Sequence, residues 1–220
     1  MTHLKELGNS TIPVAKRTER FYARIKVSAT LPRMQHDLGV KWTELKIPDT
    51  DFDVIALHTA INARRIDRGM NWTAVAREVN RADERFDVRP ISPSTISGLK
   101  NKGWGVEGDG VLQMLLWLDR TPESFVPGHP GAAHPDARLT KVPGKKILRF
   151  DVPSIYEKLD RARAVRGLTW AEAATEIGGL YNAEMLKNMR KQRRTGFPHV
   201  MRLARWLHCP AAALTRMADW

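Results

Sequence analysis

The stretch GMNWTAVAREV, at residues 69–79, is repeated in outline by GLTWAEAATEI, at residues 167–177. Gly, Trp, Ala and Glu hold matched positions in the two stretches, and each matched pair is separated by 98 residues. Self-similarity at a fixed offset is the sequence signature of repeated structural units. The chain is therefore expected to contain the same helical unit twice.

The repeat extends beyond these two stretches. Upstream, the tripeptide Phe-Asp-Val at 52–54 recurs at 150–152 with the same offset. Downstream, the offset falls to 90, which pairs Ile96 with Leu186, and then to 89, which pairs Trp117 with Trp206. The first unit therefore carries about eight extra residues, within roughly 80–91.

Each unit is predicted to be a set of short helices. In the first unit, apolar spacing and capping residues predict helices over 53–68 and 72–81, a third from a cap at Ser92 to about Lys100, and a fourth that begins at Asp109. In the second unit they predict helices over 153–166, from a capping box of Thr169 and Glu172, over 183–191 and over 198–208. The end, CPAAALTRMADW, is predicted to form a last short helix, and no strand is predicted in either unit.

Composition divides the chain into four parts: a basic arm at 1–48, a first unit at 49–127, a linker at 128–148 and a second unit at 149–220. The linker is rich in Pro and Gly and is expected to be a flexible spacer. Within the arm, RFYARIKVSA alternates apolar and polar residues, which fits either a strand or an extended basic arm. The expected fold class is all-α, with two tandem helical bundles.

The formal net charge is +12, which favours an anionic partner, most often nucleic acid; a merely basic surface is the alternative. Residues 1–48 carry a net charge of +5, residues 49–128 of −2 and residues 146–220 of +7. The start has no apolar signal segment, and the longest apolar stretch is too short for a bilayer, so no membrane association is expected. The single cysteine suits a reducing cytoplasm.

The sequence lacks the usual patterns of enzymes. Its seven histidines have no metal-ligand spacing, no phosphate-binding glycine loop follows a strand, and no nucleophile elbow occurs. Glu78 and Glu176 hold matched positions on helices and are interpreted as structural. We expect no catalytic residues, no metal and no cofactor. The two units leave no room for a separate effector domain.

The order of helix, tight break, capped third helix and apolar fourth helix is the helix-turn-helix layout. The strings GMNWTAVAREV…SPSTISGLKNKG…VLQMLLWL resemble the Cro and phage-repressor class of helix-turn-helix domains, the XRE family. GLTWAEAATEI…NAEMLKNMRKQ…VMRLARWL resembles a second, more diverged copy. The resemblance covers most of the chain and implies lambda-repressor-like bundles that bind double-stranded DNA.

In that family the start of the third helix meets base edges. The resemblance assigns this role to Ser92, Ser94, Thr95 and Ser97 in the first unit, and to Glu184, Lys187 and Asn188 in the second. Hydroxyl, amide, ammonium and carboxylate groups are all able to bond base edges in the major groove. Alternatively, Ser92 acts only as a helix cap, and Ser94, Thr95 and Ser97 form a solvated helix face that contacts no DNA.

The turn after the third helix usually meets phosphate in this family. The resemblance assigns phosphate contacts to Lys100, Asn101 and Lys102, and to Arg190, Lys191, Arg193 and Arg194. Trp72 and Trp170 stand where the family commonly has a phosphate-contacting Gln. Each indole has one N–H donor for a phosphate, or the ring packs against the first helix of its unit. The extra residues near 80–91 leave the angle of the first recognition helix open.

These features predict a transcriptional regulator, by default a repressor, that reads an asymmetric DNA site with two different helix-turn-helix units. Family resemblance alone favours a phage or prophage immunity repressor in a bacterial cytoplasm. Two alternatives stay open: an architectural DNA-binding protein of low specificity, and a protein-interaction module whose first unit binds a partner such as RNA polymerase. The chain is expected to act as a monomer or homodimer.

Overall fold

The computed structural model describes residues 42–46, 51–81, 91–102, 106–144, 146–178 and 181–219, all within one compact unit, His36–Trp220. The described part is mostly helical. Its helices and strands are, in chain order, α1 (Val54–Asp67), α2 (Trp72–Asn80), α3 (Pro93–Ser97), α4 (Gly108–Leu118), β1 (Lys146–Phe150), α5 (Val152–Val165), α6 (Trp170–Ile177), α7 (Ala183–Asn188), α8 (Phe197–Trp206) and β2 (Thr215–Asp219). None of the described helices combines the length and the apolarity needed to cross a bilayer.

Side-chain caps begin the first three helices of each unit, and the sequence predicts three of these six caps, Asn71, Ser92 and Thr169. Each capping oxygen accepts a hydrogen bond from a backbone N–H of the first turn, which otherwise has no partner in the helix. The caps of the first unit are Asp53, Asn71 and Ser92, and those of the second are Asp151, Thr169 and Asn182. The capping box of Thr169 and Glu172 is confirmed.

The contact between the first two helices is the same in both units. Gly69 and Gly167 follow α1 and α5 with φ of 60° and 67°, a left-handed conformation that glycine adopts without strain. Arg65 then donates to the carbonyl of Met70 over 2.9 Å, and Arg163 donates to the carbonyl of Leu168 over 2.7 Å. The 98-residue repeat in the sequence is therefore matched by a repeat of specific contacts.

The two units share one apolar core. The ring of Phe197, at the start of α8, lies 4.5 Å from Phe52 and 5.5 Å from Phe150 between ring centroids. The predicted core residues Ile96, Leu99, Leu186, Met189 and Phe125 are all buried. Buried residues from both units form one continuous cluster, so each unit stabilises the other.

Main-chain hydrogen bonds also join the units. The amide of Gly108 donates to Thr195, and the amide of Phe197 donates to Val106, over 2.9 and 2.8 Å. The carboxylate of Glu123 accepts a 2.8 Å bond from the amide of Ala211. The two main-chain bonds place the turn before α8 directly against the start of α4.

The prediction that neither unit contains a strand is wrong. β1 and β2 pair antiparallel, with Leu148 opposite Met217. The C-terminal segment is likewise not a simple helix: Ala211–Leu214 forms one 3-10 turn, and the chain then extends as β2. Gln113 of α4 donates to the carbonyl of Leu148, so the small sheet is held against the first unit.

The linker is folded, and the prediction of a flexible spacer is wrong. Pro130–Ala133 and Pro135–Ala137 form 3-10 turns, and Ala137 is completely buried. Trp42 packs its ring against His134, with 5.0 Å between ring centroids in an edge-to-face arrangement. Apart from residues 42–46, the arm at 1–48 lies outside the described residues, so the two interpretations of RFYARIKVSA stay open.

Candidate nucleic-acid interface

The two helix pairs α2–α3 and α6–α7 carry the predicted DNA-reading residues. In each pair the shorter helix packs against the longer one, anchored by Ile96 in α3 and Leu186 in α7, both fully buried. Each short helix continues as a 3-10 turn, Leu99–Asn101 in the first unit and Met189–Lys191 in the second. The predicted helices to Lys100 and Lys191 thus end in tighter turns than expected.

Asn80 fixes the position of α3 despite the extra residues before it. This side chain is buried, and its amide donates to the carbonyls of Ala76 and Ile91 over 2.6 and 2.9 Å. Its carbonyl oxygen accepts from the amide of Ile91 over 2.8 Å. The Asn80 side chain therefore links the end of α2 to the residue just before the α3 cap. These bonds hold the start of α3 at the end of α2.

The four predicted hydroxyl residues of α3 lie together and are bonded to one another. The Ser92 hydroxyl accepts from the amide of Thr95 and lies 2.8 Å from the Ser94 hydroxyl and 2.9 Å from that of Thr95. The Ser97 hydroxyl donates to the Ser94 carbonyl over 3.4 Å. Ser94 is exposed, whereas the other three are partly buried. Ser94 is thus the hydroxyl best exposed for a base edge.

In α7 the predicted residues share the solvent-exposed side of the helix. Glu184 and Lys187 are exposed and Asn188 is partly buried. The Asn188 amide donates to the Glu184 carboxylate over 2.6 Å. This bond uses one N–H of Asn188 and one oxygen of Glu184, so the second N–H and the carbonyl oxygen of Asn188 and the other carboxylate oxygen of Glu184 are left for a base contact.

The predicted phosphate-contacting residues form two exposed turns. Lys100, Asn101 and Lys102 are exposed after α3, and Arg190, Lys191, Arg193 and Arg194 are exposed after α7. Arg194 differs from the others because its guanidinium forms a 3.0 Å ion pair with Glu107 of the first unit. This pair joins the turn of one unit to the other unit.

Trp72 and Trp170 are held by stacking in both units. The guanidinium of Arg65 lies 4.8 Å from the centre of the Trp72 ring, and that of Arg163 lies 4.8 Å from Trp170. On the preceding helix, His58 stacks on Trp72 at 5.8 Å, and Tyr156 stacks on Trp170 at 5.5 Å. Packing against the first helix is therefore established for both rings, and a phosphate contact from their N–H groups stays a prediction.

Glu78 and Glu176 have structural contacts in matched positions. Glu78 accepts from Arg68 and from Trp117, and Glu176 accepts from Trp206 and lies 3.7 Å from Arg166. The hydrogen bond from Arg68, aided by that from Trp117, lowers the pKa of Glu78. These carboxylates fasten the second helix of each unit to the fourth.

Sequence reasoning missed three residues that shape this surface. Arg65 and Arg163 position the tryptophans, and their separation by the same 98-residue offset was a signal that could have found them. Glu107 offered no such signal, because its partner Arg194 belongs to the other unit and lies far along the chain.

Comparison with known proteins finds no matching family model, no matching curated protein and no matching solved structure.

Proposed function

We propose that this protein is a sequence-specific double-stranded DNA-binding transcriptional regulator, by default a repressor. The observation that carries the proposal is the duplicated helix pair: α3 and α7 each follow a packed helix, begin at a side-chain cap and lead into an exposed basic turn. A helix presented in this way is the usual reader of the major groove, and the cations after it suit the flanking phosphates. The resemblance to phage repressors favours a role in phage or prophage immunity.

The shared core supports a fixed arrangement of the two readers. Because Phe197 packs between Phe52 and Phe150, and main-chain bonds join Gly108 to Thr195, α3 and α7 belong to one packed body. Successive major-groove faces of DNA are about 34–36 Å apart. A monomer with two different readers is proposed to bind an asymmetric site of constant spacing.

Selection of bound duplexes followed by footprinting tests the proposal. K187E and R190E, which reverse exposed charges in and just after α7, are expected to abolish binding. R161E, which reverses an exposed charge on α5, is the matched control and is expected to bind nearly as wild type does. If K187E and R190E bind like R161E, α7 is not the reader. A palindromic selected site would mean that one unit dimerises on DNA instead.

A second experiment separates the two units. S94A/S97A removes two of the α3 hydroxyls while leaving the Ser92 cap in place. A changed preference at a few base pairs is expected if α3 reads bases. An unchanged site would instead favour a first unit that binds a protein, such as RNA polymerase, in keeping with its net charge of −2 over residues 49–128.

One set of observations favours low sequence specificity as a second candidate. The α3 hydroxyls bond one another and Asn188 bonds Glu184, whereas the turn cations are exposed. Such a surface suits phosphate contacts better than base contacts. The ratio of affinities for selected and random duplexes decides: a specific regulator is expected to exceed about a thousandfold, and an architectural protein to fall far below it.

A further inference from the structure

A cleft of about 400 Å³ lies where the two units meet, between α3, α4, β1 and the turn after α7. Its lining includes Ser92, Thr95 and Lys102 from the first unit, and Arg149 and Arg194 from the second. This volume is in the range of sites that hold a ligand group together with water. The cleft is therefore large enough for a phosphodiester group.

The cleft brings together the two turns that are expected to touch phosphates. Lys102 belongs to the turn after α3 and Arg194 to the turn after α7, and both line the same space. The bond from Gly108 to Thr195 and the β-bridge between Glu107 and Gly196 hold the second turn beside the first unit. The two cations therefore line one cleft, although they belong to different units.

The charged residues that line the cleft favour an anionic ligand, which would displace Glu107 from Arg194. Lys102, Arg149 and Arg194 outnumber the carboxylates of Glu107 and Asp109. Asp109 is largely buried, which raises its pKa and disfavours its charged form, although Arg149 lies 3.8 Å away. The Nε atom of Arg149 is buried and has no hydrogen-bond partner among the described residues.

The ion pair of Arg194 with Glu107 is easily exchanged. The two side chains are 62% and 47% exposed, and ion pairs so open to water contribute little stability. A phosphate that enters the cleft is thus able to take the guanidinium from Glu107 at small cost. The bond to phosphate is of the same charge-assisted kind as the bond to Glu107 that it replaces.

We propose that the cleft binds one phosphate of the DNA backbone, shared between Lys102 and Arg194, and that Glu107 releases Arg194 when the phosphate enters. This inference rests on the proposed function, since it assigns a backbone contact at the point where the duplex passes from one reader to the other. The junction of the units is then part of the DNA-binding surface.

The dependence of DNA affinity on salt tests whether the phosphate is shared. Each phosphate contact contributes about 0.9 to the slope of log affinity against log salt. K102Q and R194Q are each expected to lower the slope by no more than about 0.9, and the double variant is also expected to lose about 0.9 rather than twice that amount. K100Q and R190Q, at exposed turn residues that do not line the cleft, form the matched control pair, and their losses are expected to add.

E107Q provides an independent measurement on the same duplex. Removal of the carboxylate frees Arg194 and removes a charge that repels phosphate, so affinity at low salt is expected to rise about three- to tenfold, given the usual strength of charge-assisted bonds. Urea unfolding of each variant checks that the fold is retained. Unchanged or weaker binding by folded E107Q overturns the exchange of Arg194.

The outcomes distinguish this inference from the proposed function. Failure of the wild-type protein to bind any selected duplex contradicts the function itself. Binding by wild type together with a slope loss of about 1.8 in K102Q/R194Q, as two separate phosphates would give, contradicts only the shared phosphate. If inorganic phosphate stabilises wild type and not these variants, while their DNA slopes stay at the wild-type value, the cleft holds a free anion and the backbone assignment is wrong.

Discussion

The indole N–H of Trp117 donates a 2.8 Å hydrogen bond to the carboxylate of Glu78, which links α4 to α2. W117F keeps an aromatic ring near Arg64, whose guanidinium lies 5.0 Å from the ring centre, but removes the donor. Because Glu78 retains its bond to Arg68, the free energy of unfolding is expected to fall by only about 1 kcal/mol. Urea denaturation measures this loss.

The second unit supplies the matched experiment. Trp206 donates to Glu176 over 3.1 Å, and W206F is expected to lose a similar amount of stability because Arg166 stays beside the ring. A W117F protein as stable as wild type would show that the repeated bond contributes nothing measurable.

Asn80 is expected to be the most costly single polar side chain to remove near α3. N80A leaves the amide and the carbonyl of Ile91 without the partners that the structure gives them. An unsatisfied buried polar group costs about 1–3 kcal/mol, so a loss of about 3 kcal/mol is expected. Amide hydrogen exchange should accelerate at Ile91 and through α3. Unchanged exchange there would contradict the role given to Asn80.

Glu123 is expected to make stability depend on pH. Burial raises its pKa from 4.5 to about 7. Because the folded carboxyl holds its proton more tightly than the unfolded one, its contribution is fully present below about pH 4.5 and is lost as the pH rises through 7. Over that interval the loss is about 3 kcal/mol.

E123Q isolates this effect. The Gln side chain stays neutral at every pH, and its carbonyl oxygen is still able to accept the hydrogen bond from the backbone N–H of Ala211. The difference in free energy of unfolding between wild type and E123Q should therefore fall by about 2–3 kcal/mol from pH 5 to pH 8. His129, His199 and His208, whose pKa values burial lowers, are present in both proteins and cancel. A difference that is constant with pH would refute the prediction.

Gly131 is expected to tolerate no side chain while Trp42 is in place. A Cβ at this position would lie 2.6 Å from the Trp42 ring, closer than real contacts allow. G131A should therefore destabilise the protein by about 1–3 kcal/mol, as overpacking does. In a W42A background the same substitution should cost less, because only the contact of 2.9 Å with the His129 ring is left. Equal losses in the two backgrounds would place the cause elsewhere.

The folded linker leads to a prediction about DNA spacing that rests on the proposed function. Inserting six Gly and Ser residues between the exposed Thr140 and Lys141 lengthens the connection without entering the shared core. If packing between the units fixes the readers, the spacing of the selected DNA site should not change. Sites of variable spacing after the insertion would mean that the linker, and not the core, sets the distance.

Local chemistry in the sequence was enough to predict most of the helices. Caps such as Asn71 and Ser92, the box of Thr169 and Glu172, and glycines after the first helices act within one turn, so a few neighbouring residues decide the outcome. The core positions followed for the same reason, because helical spacing identifies the apolar face.

The strands, the linker and the junction could not be predicted in this way. β1 spans only KILRF and is a strand because it pairs with β2, which lies far along the chain. The burial of Ala137 and the fixed position of Trp42 likewise depend on contacts between distant segments. The Arg194 contact with Glu107 joins different units, and no periodicity within either unit reveals such a pair.

The hydrogen bonds between Asn80 and Ile91 hold α3 in place, so its position does not depend on the length of the segment between α2 and α3. Asn80, at the end of α2, holds Ile91, just before the α3 cap, through hydrogen bonds to its carbonyl and its amide. Changes in the number or kind of residues between these two residues need not shift the following helix. The segment between Asn80 and Ile91 is thus expected to accept evolutionary insertions, or an engineered label, without altering what α3 presents.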